Sequence, residues 1–216
     1  MKYDLVIFDL DGTLLDTLED LAGAANTAMA RFGFPPRSLD DIRRFIGNGV
    51  VWLIRQCAPE GTPDEVIQAA LAEFKIQYAQ HVNDRTRAYP GVTDLLRALR
   101  NAGLHTAVNS NKMDAAVQRL CSEHFGALIE TALGEKHGIP KKPAPDGALY
   151  LMRAFDAAAE RTIYVGDGET DLQTARAAGI DSIWVSWGFR KREELADLNI
   201  RASANTVEQL RRLILG

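Results

Sequence analysis

The stretch "YDLVIFDLDGT", residues Tyr3 to Thr13, decides the fold. Four consecutive apolar residues, Leu5 to Phe8, have the pattern of a strand covered on both faces, as in a parallel sheet. They run directly into two acids, Asp9 and Asp11. Like charges two residues apart repel, and desolvation increases the cost. Such a pair needs a compensating partner at the end of its strand.

Beyond Thr17 the period changes. Leu18, Leu21, Ala22, Ala25, Met29 and Phe32 recur at helical spacing, and Gly33 with Pro35-Pro36 stops the helix. Ser38 is placed to cap a short helix ending near Gly47, and Val50 to Cys57 reads as another. Thr62-Pro63-Asp64-Glu65 reads as a capping box with Thr62 as N-cap and Pro63 at the first helical position. Val66, Ala70, Phe74 and Tyr78 then share one face. Residues 17–82 are therefore predicted to be helical.

From Tyr89 onward strands and helices alternate: helix Val92–Ala102, strand "LHTAV", helix Asp114–His124, strand Leu128–Leu133, a helix from Pro145, strand "TIYVG", helix Thr170–Ala178 and strand "IWVS". This alternation implies right-handed crossovers and a parallel sheet. The expected architecture is α/β, a doubly wound parallel sheet formed by residues 1–15 and 85–216. An all-helical domain, residues 16–84, is inserted after the first strand. Such sheets bind ligands beyond the carboxyl ends of their strands.

Composition narrows the function classes. The chain has 216 residues, 46% hydrophobic and 25% charged, with a net charge of −4. A mildly acidic chain without a basic run argues against nucleic acid or an anionic membrane as partner. Cys57 and Cys121 match no metal spacing, and two lone thiols with no export signal point to the cytoplasm. Four apolar residues near the start are too few for a signal segment or a membrane span. The sequence leaves the oligomeric state open.

Four polar clusters fall at expected strand ends: "FDLDGT", "VNSNK", "KKPAPD" and "GDGETD". Any one acid could merely cap the next helix, but four clusters on one sheet edge exceed what capping explains. Several carboxylates converging on one point call for a hard divalent cation, and oxygen-only ligands suit Mg²⁺. A carboxylate so held can attack phosphorus, while a second carboxyl beside the leaving oxygen handles protons. The opening pair then makes chemical sense: Asp9 attacks and Asp11 transfers protons.

These four motifs, in this order and spacing, resemble the haloacid dehalogenase superfamily, and the resemblance covers the whole core. It implies a nucleophile at Asp9, an acid/base at Asp11 and a supporting role in the phosphate loop for Thr13. It further implies phosphoryl contacts from Ser110 and Asn111 and charge stabilisation by Lys142. Of the pair Lys141-Lys142, Lys142 directly precedes Pro143, as in the superfamily motif. Mg²⁺ would be held by Asp9, the Asp11 carbonyl and Asp167, with Asp171 beside it. Gly168 departs from the pattern, standing where a small hydroxyl or amide residue is more usual.

"DLAGAANTAM", "FIGNGVVWLI", "YPGV" and "VSWGFR" are similar to segments of phosphoglycolate phosphatases. That narrower resemblance implies a small phosphorylated metabolite as partner, with 2-phosphoglycolate as the expected substrate. Pyrophosphate, a nucleotide, a sugar phosphate or a phosphosugar-mutase reaction are alternatives on the same machinery. A non-catalytic binding module fits poorly with intact Asp9, Asp11, Lys142 and Asp167. The substrate carboxylate needs a donor of its own. Gly47 and Gly49, Arg55 and Lys75 in the helical insertion are the candidates. Gly188 and Arg190 lie near enough to the sheet edge to touch a ligand. The four histidines lie on no motif, and Trp184, Trp187 and Phe189 read as packing residues.

Overall fold

The computed structural model describes residues 2–216. Its core is a six-stranded parallel sheet in the order β5-β4-β1-β6-β7-β8, built from β1 (Leu5–Phe8), β4 (His105–Met113), β5 (Thr131–Glu135), β6 (Thr162–Gly166), β7 (Asp181–Val185) and β8 (Ser203–Ala204). Central β1 pairs with β4 on one side and β6 on the other. All four of its residues are fully buried, which is why it carries no polar alternation. Helices α5 (Val92–Asn101), α6 (Asp114–Phe125), α7 (Asp146–Ala154), α8 (Glu169–Ala178) and α9 (Val207–Leu215) accompany the sheet. Two apolar clusters lie around β1: Val6 and Phe8 join the larger, Leu5 and Ile7 the smaller. The period of two along the strand thus sends successive side chains to opposite layers.

Between β1 and α5 the chain forms four helices: α1 (Leu18–Arg31), α2 (Leu39–Phe45), α3 (Val50–Cys57) and α4 (Asp64–His81). They are flanked by β2 (Leu15–Asp16) and β3 (Arg87–Ala88), which pair antiparallel. Buried Asp20 ties the two connections together, accepting from the Arg85 and Thr86 N–H groups and from the Thr86 hydroxyl at 2.8–3.0 Å.

Local signals succeed where one interaction dominates. Ser38 caps α2 reciprocally with Asp41. The proposed box at Thr62 does not form: its hydroxyl donates to the Pro59 carbonyl at 2.6 Å, and α4 begins one residue later with Pro63 at the N-cap. The turn competes for the hydroxyl that the cap requires. Strands β2, β3 and β8 are two residues long and carry no periodic signal. No helix among the described residues is long and apolar enough to cross a membrane. Cys57 and Cys121 are buried and unpaired, and burial pushes both thiols up to about 12.

Candidate active site

The carboxyl ends of β1, β4 and β6 deliver the polar clusters to one cavity. Asp9 follows β1 and Asp167 follows β6; Asp171 sits on the first turn of α8, facing back toward them. Carboxylate oxygens of the three lie within 4.8 Å of one another, and all three residues are buried. Each is oriented separately. Asp167 Oδ1 accepts from the Thr13 hydroxyl at 3.1 Å and Oδ2 from the Phe189 N–H at 2.7 Å. Trp184 Nε1 holds the Asp167 carbonyl at 2.8 Å and Trp187 Nε1 the Thr13 carbonyl at 3.1 Å. The two tryptophans therefore pin the site loops as well as pack. Asp171 Oδ2 accepts from the Gly168 N–H at 3.0 Å. The backbone supplies this bond, so Gly168 orients Asp171 without the side chain it lacks.

Close approach makes two glycines obligatory here. A Cβ on Gly12, whose φ is +84°, would lie 2.6 Å from Asp167 Oδ2. One on Gly188 would strike the Asp167 side chain and the Gly12 carbonyl.

Lys142, fully enclosed, serves this cluster. Its ammonium donates to Asp171 Oδ1 at 2.6 Å and lies 2.8 Å from Asp9 Oδ1 as an ion pair. The Asp9 contact lacks hydrogen-bond geometry, so Oδ1 has no hydrogen-bond donor among the described residues. Burial raises the Asp9 carboxyl; Lys142 opposes this, but Asp171, Asp167 and Asp11 add to it, bringing it to about 8. Burial and then Asp171 push Asp167 up to about 7, against the Phe189 and Thr13 hydrogen bonds. Burial disfavours the Lys142 ammonium, yet Asp171 and Asp9 outweigh it and raise its pKa. Three carboxylates sharing one lysine are under-compensated. An orphaned buried oxygen and an all-oxygen donor set fit a hard divalent cation.

Asp11 has its own environment. Its Oδ1 accepts from the Thr17 hydroxyl at 2.7 Å and from Lys112 Nζ at 2.8 Å; Lys112 also reaches Oδ2 at 3.1 Å. Lys112 is buried, with its ammonium 4.7 Å from the ring centroid of Tyr78 on α4. Burial works against its charge, but Asp11 and Tyr78 more than offset this. The β4–β5 register shifts between Asn109 and Met113, so Ser110, Asn111 and Lys112 lie in an irregular segment at the strand end. Ser110 lines the cavity. The Asn111 amide bridges two loops, donating to the Gly47 and Lys142 carbonyls at 2.9 and 3.0 Å and accepting from the Lys142 N–H at 2.8 Å.

The helical insertion contributes Leu21, Ile46, Gly47, Gly49, Val50 and Leu53, leaving a cavity of about 50 Å³. That is room for only a few water-sized groups. Core cations hold this roof by its backbone. Arg190 donates to the Ile46 carbonyl at 2.6 Å and the Arg43 carbonyl at 2.9 Å, and Lys141 to the Asn48 carbonyl at 3.0 Å. Gly47 and Gly49 take φ of +115° and +85°, and a Cβ on Gly49 would meet Lys141 Nζ at 3.2 Å.

Asp9, Asp11, Ser110, Asn111, Lys142, Asp167, Asp171, Gly47 and Gly49 thus line one cavity. Three expectations need correction. Thr13 does not line it; its hydroxyl is spent on Asp167. Arg55 is paired at 2.9 Å with Asp64 on the exposed face of the insertion, and Lys75 is exposed on α4; neither lines the cavity. Helical periodicity turns both outward, opposite the buried faces of their helices. Sequence reasoning passed over Lys112 and Glu169. Lys112 ends the "VNSNK" motif already singled out, and its position after four strand-end residues was the available signal.

The haloacid dehalogenase-like hydrolase family profile matches residues 6–185. A phosphoglycolate phosphatase of Pseudomonas savastanoi pv. phaseolicola is 34% identical over 98% of this chain and 79% of its own length. Phosphoglycolate phosphatase 1 of Pseudomonas aeruginosa is 33% identical over 97% and 78%, respectively. The crystal structure of an inferred phosphoglycolate phosphatase from Lactobacillus delbrueckii subsp. bulgaricus superposes with a TM-score of 0.95 at 36% identity, covering 100% of both chains. Profile, relatives and structure agree with the strand-end constellation, and the chain belongs to the haloacid dehalogenase-like hydrolase family.

Proposed function

We propose that this protein is a Mg²⁺-dependent phosphatase that hydrolyses a small phosphomonoester, 2-phosphoglycolate, through an aspartyl-phosphate. The observation that carries this reading is the buried cluster of Asp9, Asp167 and Asp171, the first and last of them paired with Lys142, at the floor of a small cavity. The relatives named phosphoglycolate phosphatase support the substrate.

In this mechanism Asp9 attacks phosphorus, the P–O bond to the alcohol breaks, and Asp11 gives the departing oxygen its proton. Asp11 then takes a proton from the water that attacks phosphorus, freeing inorganic phosphate and regenerating Asp9. Lys142 keeps its charge beside Asp9 while negative charge gathers on the phosphoryl oxygens. Ser110 and the Asn111 N–H would hold those oxygens. Asp9, Asp167, Asp171 and the Asp11 carbonyl are the groups for the cation, which when bound supplies charge neutralisation for the phosphoryl group. Residues 16–84 act as a cap that excludes bulk water and limits substrate size.

The test is phosphate release from 2-phosphoglycolate, pyrophosphate, hexose phosphates and an aryl phosphate, each with and without Mg²⁺. The reading expects Mg²⁺-dependent turnover with the highest kcat/KM for 2-phosphoglycolate. A hexose phosphate or pyrophosphate preferred by about tenfold, or about 1.4 kcal/mol in transition-state binding, overturns the substrate while leaving the phosphatase standing.

A further inference from the structure

The insertion offers no charged side chain to the cavity, so a carboxylate on the substrate must be met from the sheet. Three cations line the cavity: Lys142, Arg190 and Lys112. Lys142 is divided between Asp9 and Asp171. Arg190 spends all three nitrogens, on the Arg43 and Ile46 carbonyls and on Glu169 at 2.9 Å. Lys112 differs. An ammonium has three N–H donors, and both of its hydrogen bonds go to Asp11. Beyond Asp11 its neighbour is Tyr78, whose ring centroid lies 4.7 Å from the ammonium and whose buried hydroxyl has no other partner among the described residues.

Position singles out the same residue. To protonate the leaving oxygen, Asp11 must come within hydrogen-bond reach of it, roughly 2.6–3.2 Å. Lys112 Nζ is one hydrogen bond beyond Asp11, at 2.8 Å. In a 2-phosphoglycolate molecule the carboxylate is joined to the leaving oxygen through a single methylene. A group so close to that oxygen falls within reach of a cation that already touches Asp11.

We propose that Lys112 is the specificity-determining residue that receives the substrate's second anionic group, a carboxylate one carbon from the phosphoester oxygen. This rests on the phosphatase reading above and deepens it. Without substrate the ammonium is held by Asp11 and the Tyr78 face. With substrate it shares or exchanges Asp11 for the incoming carboxylate, leaving the Asp11 side chain free to turn to the leaving oxygen. Tyr78 makes the insertion part of the same device, since the cation lies between a core acid and an insertion ring. Neutral phosphomonoesters lack the group that engages Lys112.

The experiment separates binding from turnover. In an Asp11→Asn background, which removes the resident partner, Mg²⁺-loaded protein with and without Lys112→Met is titrated calorimetrically with 2-phosphoglycolate and with ethyl phosphate. The expected result is a Kd for 2-phosphoglycolate raised about tenfold or more by Lys112→Met, with ethyl phosphate changed less than about twofold. Equal weakening of both ligands, or of neither, overturns the proposal, because Lys112 would then serve the phosphate or the fold alone. Should the methionine variant fail to fold, Lys112→Gln goes through the same titrations. If the Asp11→Asn parent binds ethyl phosphate but not 2-phosphoglycolate, the substrate reading fails. Lys112 is then judged on phospholactate against isopropyl phosphate by the same criterion. A parent that binds none of these ligands overturns the phosphatase reading and the proposal together.

Discussion

The floor and the roof of the cavity are built on opposite principles. The floor gathers Asp9, Asp11, Asp167, Asp171, Lys112 and Lys142 at the carboxyl edge of the sheet, where all but Asp11 are buried and the charges neutralise one another incompletely. The roof presents Leu21, Ile46, Val50, Leu53 and two glycines, and turns its own ions outward, as in Arg55–Asp64 and Arg44–Asp41. The roof is held in place mainly through its main chain, by Arg190, Asn111 and Lys141 reaching up from the core, with one side chain, Arg43, reaching down to Glu194 at 2.9 Å. In the proposed function, chemistry and charge recognition therefore fall to the sheet and exclusion to the insertion. That division can be broken at either side.

The largest effect is expected on the floor, at Asp9→Asn. The amide cannot form an acyl-phosphate, so turnover should fall by about 10³-fold or more. Stability should move the other way or not at all, because the substitution removes one of several crowded carboxyls. A melting curve alongside a phosphate-release assay checks both. The metal-free wild type should show the same crowding through pH. Asp9 and Asp167 are raised to about 8 and about 7, so the folded protein keeps protons that the unfolded chain sheds near its ordinary carboxyl values. Stability should therefore fall as pH rises through this window and level off above it. Saturating Mg²⁺ should flatten the profile. Urea unfolding at several pH values, with and without Mg²⁺, measures this; a metal-free profile that rises between pH 5 and 8 would refute the crowding.

Next comes Asp167→Asn. Its carboxylate is already fixed by Thr13 and Phe189, so the change should cost charge more than position. The Mg²⁺ concentration for half-maximal activity should rise by about 10- to 100-fold, with a smaller loss of kcat at saturation. An unchanged Mg²⁺ requirement would remove Asp167 from the cation site.

The same division governs what could be read from sequence. Most of the floor was legible because Asp9, Asp11 and Asp167 follow directly on strand ends, with Lys142 and Asp171 in motifs beside them. A continuous apolar run such as Leu5–Phe8 or the core of "TIYVG" locates that end to within a residue. Lys112 escaped notice because its role depends on Asp11 and on Tyr78, residues far apart in the chain. Roof contacts such as Arg190 with the Ile46 carbonyl involve backbone acceptors, which every residue carries and no residue type marks. Thr62 failed for a nearer reason: its hydroxyl donates locally to the Pro59 carbonyl instead of accepting from the N–H of the next helix's first turn. Strands of two residues, β2, β3 and β8, exist by pairing alone.

A smaller effect is expected where floor and roof meet. Arg190→Ala removes the donors to the Arg43 and Ile46 carbonyls and the partner of Glu169. It leaves Asp9, Lys142 and the carboxylate cluster untouched. The roof should open more often, so amide exchange at Ile46–Gly49 should quicken and KM should rise several-fold, with kcat less affected. Exchange rates equal to those of the wild type would show that Asn111, Lys141 and the Arg43–Glu194 pair hold the roof without Arg190.

The smallest effect is expected on the outer face of the roof, and it is the sharpest check on the comparison. Arg55 and Lys75 are the insertion cations that sequence alone nominates for a substrate carboxylate. In the folded chain Arg55 pairs with Asp64 in solvent and Lys75 is exposed. Exposed pairs of this kind contribute about 0–1 kcal/mol, and neither side chain lines the cavity. Arg55→Ala and Lys75→Ala should each leave kcat/KM for 2-phosphoglycolate within about twofold of wild type, a difference of about 0.4 kcal/mol. The ratio of 2-phosphoglycolate to ethyl phosphate turnover should also stay the same. If either variant lowers that ratio tenfold, the insertion does reach the substrate with charge. The roof would then have to rotate on closing by enough to bring an outward helix face over the floor, and the assignment of charge recognition to the sheet would be wrong. If both are silent while Lys112 variants shift the ratio, the substrate's charge is read by a sheet-edge cation.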